Sequence, residues 1–342
     1  MMAASQTQSL YSSLQLTHKV VQTSSGSDVH CYISDLGPDA PILALIHGYP
    51  QSAYEWRQVV PALRGEASLF VPELPGYGIS TPIRHITANT KRSVGRALLE
   101  ALSVVFDTTA SQTPRKVVLA GHDRGARISH RLTVDFTFPT ETPSFYSTLN
   151  LVVVGTVLLD IIPTLQQWQA FSDPVVCSGA FHWPLLANPD VATDLILAYG
   201  GDRWCKTAHT RLAGPNPESI GRVSANNALD IYAELFRERE TIYYTALDYA
   251  AGAAPEADEQ KEDQKAGRKV GVPLLVIFSE ARLGSSVDVA GVWKDWIADG
   301  VDLEGYGVGE GRGHYLPEEA YEIVSPKIAT FINKVTGSAS LA

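Results

Sequence analysis

A chain of 342 residues with 45% hydrophobic and 19% charged side chains has the makeup of a folded globular protein, long enough for one large α/β domain with an insertion. Its formal charge of -10 leaves no basic surplus to neutralise phosphates, which excludes a nucleic-acid partner and leaves any small anion to be met by locally placed arginines. Cys31, Cys177 and Cys205 are odd in number and widely spaced, so neither a disulfide framework nor a metal site is expected, and a cytoplasmic setting fits.

Residues 1–16 lack the basic start and apolar centre of a secretory signal and are expected to be a tail. No apolar run approaches the roughly 18 residues that a membrane helix requires, so no membrane association is expected. Continuous apolar runs follow at 41–48 (PILALIHG), 67–74 (ASLFVPEL), 116–122 (KVVLAGH), 156–163 (TVLLDIIP) and 273–280 (PLLVIFSE). Runs of this kind, not alternating with polar residues, suit strands covered on both faces of a parallel sheet. Helical patterns at Asn89–Phe106 and Ala126–Phe136 lie between them, giving an α/β fold with a mostly parallel, doubly wound sheet. Residues 164–248, rich in Trp, Tyr and Phe, break the rhythm and read as a helical lid inserted after the sixth strand. The core is then 17–163 and 249–335. The charged stretch 254–269 reads as a solvated connector, and 336–342, ending in SASLA, as a second tail.

The third run ends in GHDRG (121–125). Small residues on both sides of Asp123 are what a tight strand-to-helix turn demands, and such a turn lifts the central side chain above the sheet edge at a helix N-terminus, where an anion is favoured. An N-cap is the plain role for an aspartate there. HGYP (47–50) follows the first buried run and offers a backbone N–H toward the same point. GRGHYLPEEA (311–320) sets His314 after a Gly-rich turn near the end of the chain. The acid that would orient His314 is either Asp160, at the end of the sixth strand, or Glu280, after the seventh, with Asp160 preferred.

GHDRGAR, LLDIIPT, FHWP and GRGHYLPEE in this order resemble the haloacetate (fluoroacetate) dehalogenase branch of the α/β-hydrolase superfamily, with epoxide hydrolases as neighbours; the likeness spans about residues 17–335. It implies a nucleophile at Asp123, a base at His314 and its partner at Asp160. It further implies a carboxylate grip by Arg124 and Arg127, a halide pocket from His182, Trp183 and Tyr249, no cofactor, and a homodimer. Two positions depart from that branch: Pro75 in PELPGYG, which looks more like the epoxide hydrolases, and Ala250 in DYAAG.

Aspartate as nucleophile limits the substrate. A carboxylate is ionised at neutral pH and needs no base to attack. On an ester or amide it would give only an anhydride, whereas on a saturated carbon bearing a leaving group it gives a stable ester. Hydrolysis of that ester calls for His314 as base and for oxyanion donors, here the backbone N–H groups of Tyr49 and Arg124, each worth on the order of 3 kcal/mol. Dehalogenation of a small 2-haloacid is the leading expectation. Epoxide hydrolysis is the alternative, with Tyr199, Tyr232, Tyr243, Tyr244 and Tyr249 as candidate lid acids, and a receptor that only binds a ligand is a third.

Overall fold

The computed structural model describes residues 2–84, 89–139 and 144–337. Its centre is an eight-stranded sheet: β1 (Thr17–Gln22), β2 (Asp28–Ser34), β3 (Ile42–Ile46), β4 (Ser68–Pro72), β5 (Arg115–His122), β6 (Leu151–Leu159), β7 (Leu274–Ser279) and β8 (Leu303–Val308). The spatial order is β1-β2-β4-β3-β5-β6-β7-β8. β1 pairs antiparallel with β2, as does β2 with β4; every later pairing is parallel.

Both faces of the central strands are covered, which is why their sequences run apolar without alternation. On β5, Val117 and Leu119 face the cluster built with Leu98 and Leu102, whereas Val118 and Ala120 face the opposite one with Trp56 and Ile328. The expected helix at Asn89–Phe106 is Lys91–Val105, with the Thr90 hydroxyl accepting from the Ser93 N–H at its start. The second runs Arg124–Thr137.

Between β6 and β7 lies a run of helices from Thr164–Ala170 to Glu256–Lys265, forming the cap. The expected edge of the lid at 248 falls inside one helix, Arg239–Ala253. The charged stretch 254–269, expected as a solvated connector, holds the helix Glu256–Lys265, which buries Glu256, Ala257, Gln260 and Asp263. Its inward face is polar because it answers charges and donors on the core. Asp263 pairs with Arg131, Glu256 accepts from the Lys91 N–H, and Gln260 accepts from the Leu165 N–H.

The N-terminal stretch expected as a tail is also helical, at Met2–Ser13. Ala3, Thr7 and Tyr11, spaced four apart, turn one side inward, and the Tyr11 hydroxyl donates to the Ala53 carbonyl at 2.5 Å. Its first N–H groups donate to Glu234 of the cap. Three buried positions are too few for a hydrophobic period to stand out. The C-terminal helix Tyr321–Thr336 ends at Gly337, and SASLA lies outside the described residues. Among the described residues no helix is long and apolar enough to cross a membrane.

Candidate active site

Strand register puts the two aspartates side by side. His122 at the end of β5 pairs with Leu159 at the end of β6, so Asp123 and Asp160 leave adjacent strands together. The Asp123 N–H donates to the Leu159 carbonyl at 3.2 Å, and the Asp160 N–H to the Ile277 carbonyl at 2.8 Å. Both then turn sharply, with φ of 46° and 52°, a left-handed conformation uncommon outside glycine. The Asp123 turn needs its flanking glycines. A Cβ on Gly125 would sit 2.0 Å from the Ile46 carbonyl oxygen, and one on Gly121 would sit 2.3 Å from the Gly125 backbone.

Asp123 is buried at the start of the Arg124–Thr137 helix. Its Oδ1 accepts the Tyr49 N–H at 3.0 Å, and its Oδ2 lies 3.9 Å from His314 Nε2. Burial opposes its charge, but His314, Arg124, Arg127 and His122 more than compensate and hold its pKa down to about 2. His314 Nδ1 donates to Asp160 Oδ2 at 2.6 Å, leaving Nε2 toward Asp123; Asp160 Oδ1 accepts the Ser279 N–H at 2.8 Å. Glu280 is exposed, and Asp160 holds the place between the two alternatives. The Arg124 N–H, at the first position of the helix, makes no hydrogen bond among the described residues.

Arg124 and Arg127 are both buried, and both guanidinium groups stack on the Trp183 ring, at 5.1 and 4.6 Å. Arg124 also covers Tyr249 at 4.0 Å and donates through Nε to Asp248 Oδ2 at 2.5 Å. Among the described residues Arg127 donates only to neutral oxygens, the Ile162 carbonyl and the Thr164 hydroxyl. Burial and its neighbour Arg124 bring its pKa down to about 10. Arg124 Nη1 and Arg127 Nε are buried without an acceptor.

His182, Trp183 and Tyr249 form the facing wall. The Tyr249 ring lies 5.9 Å from His182 and 5.3 Å from Trp183, each close to edge-on. Burial drives His182 down to about 3, so it is neutral, and keeps the Tyr249 hydroxyl protonated. Among the other lid tyrosines, Tyr232 donates to Glu318 and Tyr199 bonds with Thr207.

Several buried charges carry no signal in the sequence. Asp248 binds Lys91, Arg124 and the Tyr77 hydroxyl, and Lys91 also reaches Glu256. Behind the elbow, His122 lies between Glu55, at 3.3 Å, and the His314 carbonyl, at 2.8 Å. Burial works against its charge, but Glu55 raises it to about 9, so it is an imidazolium donating at both ring nitrogens. Among the described residues no cluster of His, Cys, Asp and Glu is placed to hold a metal ion.

Sheet order, cap and elbow define an α/β hydrolase, and residues 43–325 match the model of the alpha/beta hydrolase family; the chain belongs to that family. It is 27% identical over 277 residues to the fluoroacetate dehalogenase of a Burkholderia species, spanning 79% of this chain and 81% of that one. Over 287 residues it is 28% identical to the soluble epoxide hydrolase of Corynebacterium sp. (strain C12), spanning 82% and 86%. The solved structure of epoxide hydrolase CorEH superposes with a TM-score of 0.71 at 25% identity, covering 93% of this chain and 99% of that one.

Proposed function

We propose that this chain hydrolyses a 2-halo carboxylic acid through a covalent ester on Asp123. Asp123 Oδ2 attacks C2 from the side opposite the halogen, the new C–O bond forms as the carbon–halogen bond breaks, and halide leaves toward the N–H and O–H donors of His182, Trp183 and Tyr249. His314 Nε2 then takes a proton from water, whose oxygen attacks the Asp123 carboxyl carbon. Oδ1 carries the oxyanion against the N–H groups of Tyr49 and Arg124, and Asp160 stabilises the imidazolium. Collapse breaks the bond between the acyl carbon and Oδ2, the departing alkoxide takes the remaining proton of the water to give the inverted 2-hydroxy acid, Asp123 is a carboxylate again, and the first proton leaves from His314.

The observation that carries this reading is the pair of buried guanidinium N–H donors, on Arg124 Nη1 and Arg127 Nε, that lack an acceptor among the described residues, on the two arginines whose charge acts on Asp123. A buried donor without a partner costs about 1–3 kcal/mol, and a substrate carboxylate removes that cost. Attack also neutralises Asp123 and sends its charge out with the halide, so the substrate carboxylate then takes Asp123's place as counter-charge to Arg127. Epoxide hydrolysis is the second reading. It is favoured by Tyr249, whose hydroxyl stays protonated in the facing wall, and by the relative from Corynebacterium.

Halide release from chloroacetate or fluoroacetate, with heavy oxygen from water appearing in Asp123, tests the proposal. Arg127→Met is expected to raise KM for the acid by roughly ten- to a hundredfold, the worth of a charged hydrogen bond. Turnover of epoxides with no halide release from any 2-haloacid overturns it.

A further inference from the structure

Beside the proposed reaction centre the cap helices line a cavity of about 390 Å³, partly open to solvent, within the ~300–1,000 Å³ range typical of small-molecule sites and far larger than a two-carbon acid requires. Its walls are apolar: Leu185, Leu195, Ile196 and Leu212, with the rings of Phe181 and Trp204. Three of its lining residues abut the reacting groups. Tyr49 donates its N–H to Asp123, Leu212 accepts the His314 N–H at 3.0 Å, and His182 stands in the wall around the halide position. The chamber therefore lies against residues that hold Asp123 and His314 in place.

Arg211 is the cation in this lining. Its guanidinium lies over the Phe181 ring at 4.5 Å and donates to the Gly179 carbonyl at 3.3 Å, and among the described residues it pairs with no carboxylate. A guanidinium has five N–H donors, so most of the capacity of this solvent-exposed group in the lining is open to an acceptor.

We propose that the substrate is not a haloacetate but a 2-haloacid whose C2 carries an extended apolar chain or aryl body seated in the cap chamber, with an anionic or acceptor group at its far end against Arg211. The proposal rests on the dehalogenase reading above and narrows it. A haloacetate attacked by Asp123 has no carbon beyond C2 to extend into the chamber. Each methylene that enters is worth roughly fourfold in binding.

The test compares kcat/KM for bromide release from 2-bromopropanoate, 2-bromooctanoate and 2-bromooctanedioate. The wild type is expected to favour the octanoate over the propanoate by at least about tenfold, short of full methylene burial. Ala208→Phe and Leu195→Trp, which fill the chamber, collapse that ratio, and because both rates come from one preparation a folding defect cancels. Arg211→Gln lowers the rate for the dioate relative to the octanoate. Bromide release with no preference for chain length, or ratios that the filling variants leave alone, overturns the chamber while sparing the dehalogenase. An unchanged dioate ratio in Arg211→Gln overturns the assignment of the far end, and no bromide from any of the acids overturns both readings.

Discussion

Asp248→Asn is the most informative change to make away from the reacting atoms. Lys91, Arg124 and Arg127 are buried together with Asp123, Asp248 and Glu256, three cations against three carboxylates. Asp248 alone binds two of those cations, and the substitution leaves both with less than they need at nearly constant volume. Breaking a buried ion pair from one side costs about 3–5 kcal/mol; an amide oxygen still accepts one hydrogen bond, which points to the lower end, near 3. For a chain of this size each kcal/mol moves Tm by about 2 °C, so a fall of roughly 6 °C is expected in scanning calorimetry at pH 7.5. The sign of the pH dependence is a second check. Burial raises the Asp248 pKa, but Arg124 and Lys91 lower it below its ordinary 3.8. Its contribution is therefore fully present above that value and fades as pH falls further, so the gap between the two proteins narrows in acid. A Tm within 1–2 °C of wild type at neutral pH, or a gap that widens in acid, refutes the reasoning.

His314→Gln is expected to leave the first step intact and stall the second, cutting kcat by roughly 10²–10⁴-fold; intact-mass analysis after substrate addition then shows an adduct on Asp123, and an adduct-free, inactive protein counts against the ester route. The His122–Glu55 pair predicts loss of stability in alkali. With its folded pKa near 9 against an ordinary 6.5, this histidine stabilises the fold fully below 6.5 and loses that contribution as pH rises through about 9. Melting curves from pH 6 to 10 should fall across that window in the wild type and run flatter in His122→Gln; parallel curves for the two proteins refute it.

The proposed reacting groups could be picked out because their constraints are local. A turn that admits no side chain at 121 or 125 declares itself through glycine, and carboxylates at strand ends and a histidine after a Gly-rich turn stand within a few residues of the features that place them. Asp248, Lys91 and Glu256 were not legible, because a buried charge is identified by its counter-ion, and Asp248 lies 157 positions along the chain from Lys91. For the same reason the helix Glu256–Lys265 read as solvated: Glu256, Gln260 and Asp263 face inward to partners, Lys91, Leu165 and Arg131, that the local sequence does not contain. Hydropathy finds helices that bury oil and passes over those that bury salt.

Tyr49 belongs to the floor of the site and to its roof. Its backbone N–H meets Asp123, while its hydroxyl accepts the indole N–H of Trp204, in the cap, at 2.6 Å. In the proposed reaction this makes the cap a structural member of the oxyanion site as well as a cover. Where a misplacement of about 1 Å can cost a hundredfold in rate, the seating of a cap helix becomes a setting for how fast the ester is cleared. Changes in the cap can then alter turnover without touching the substrate.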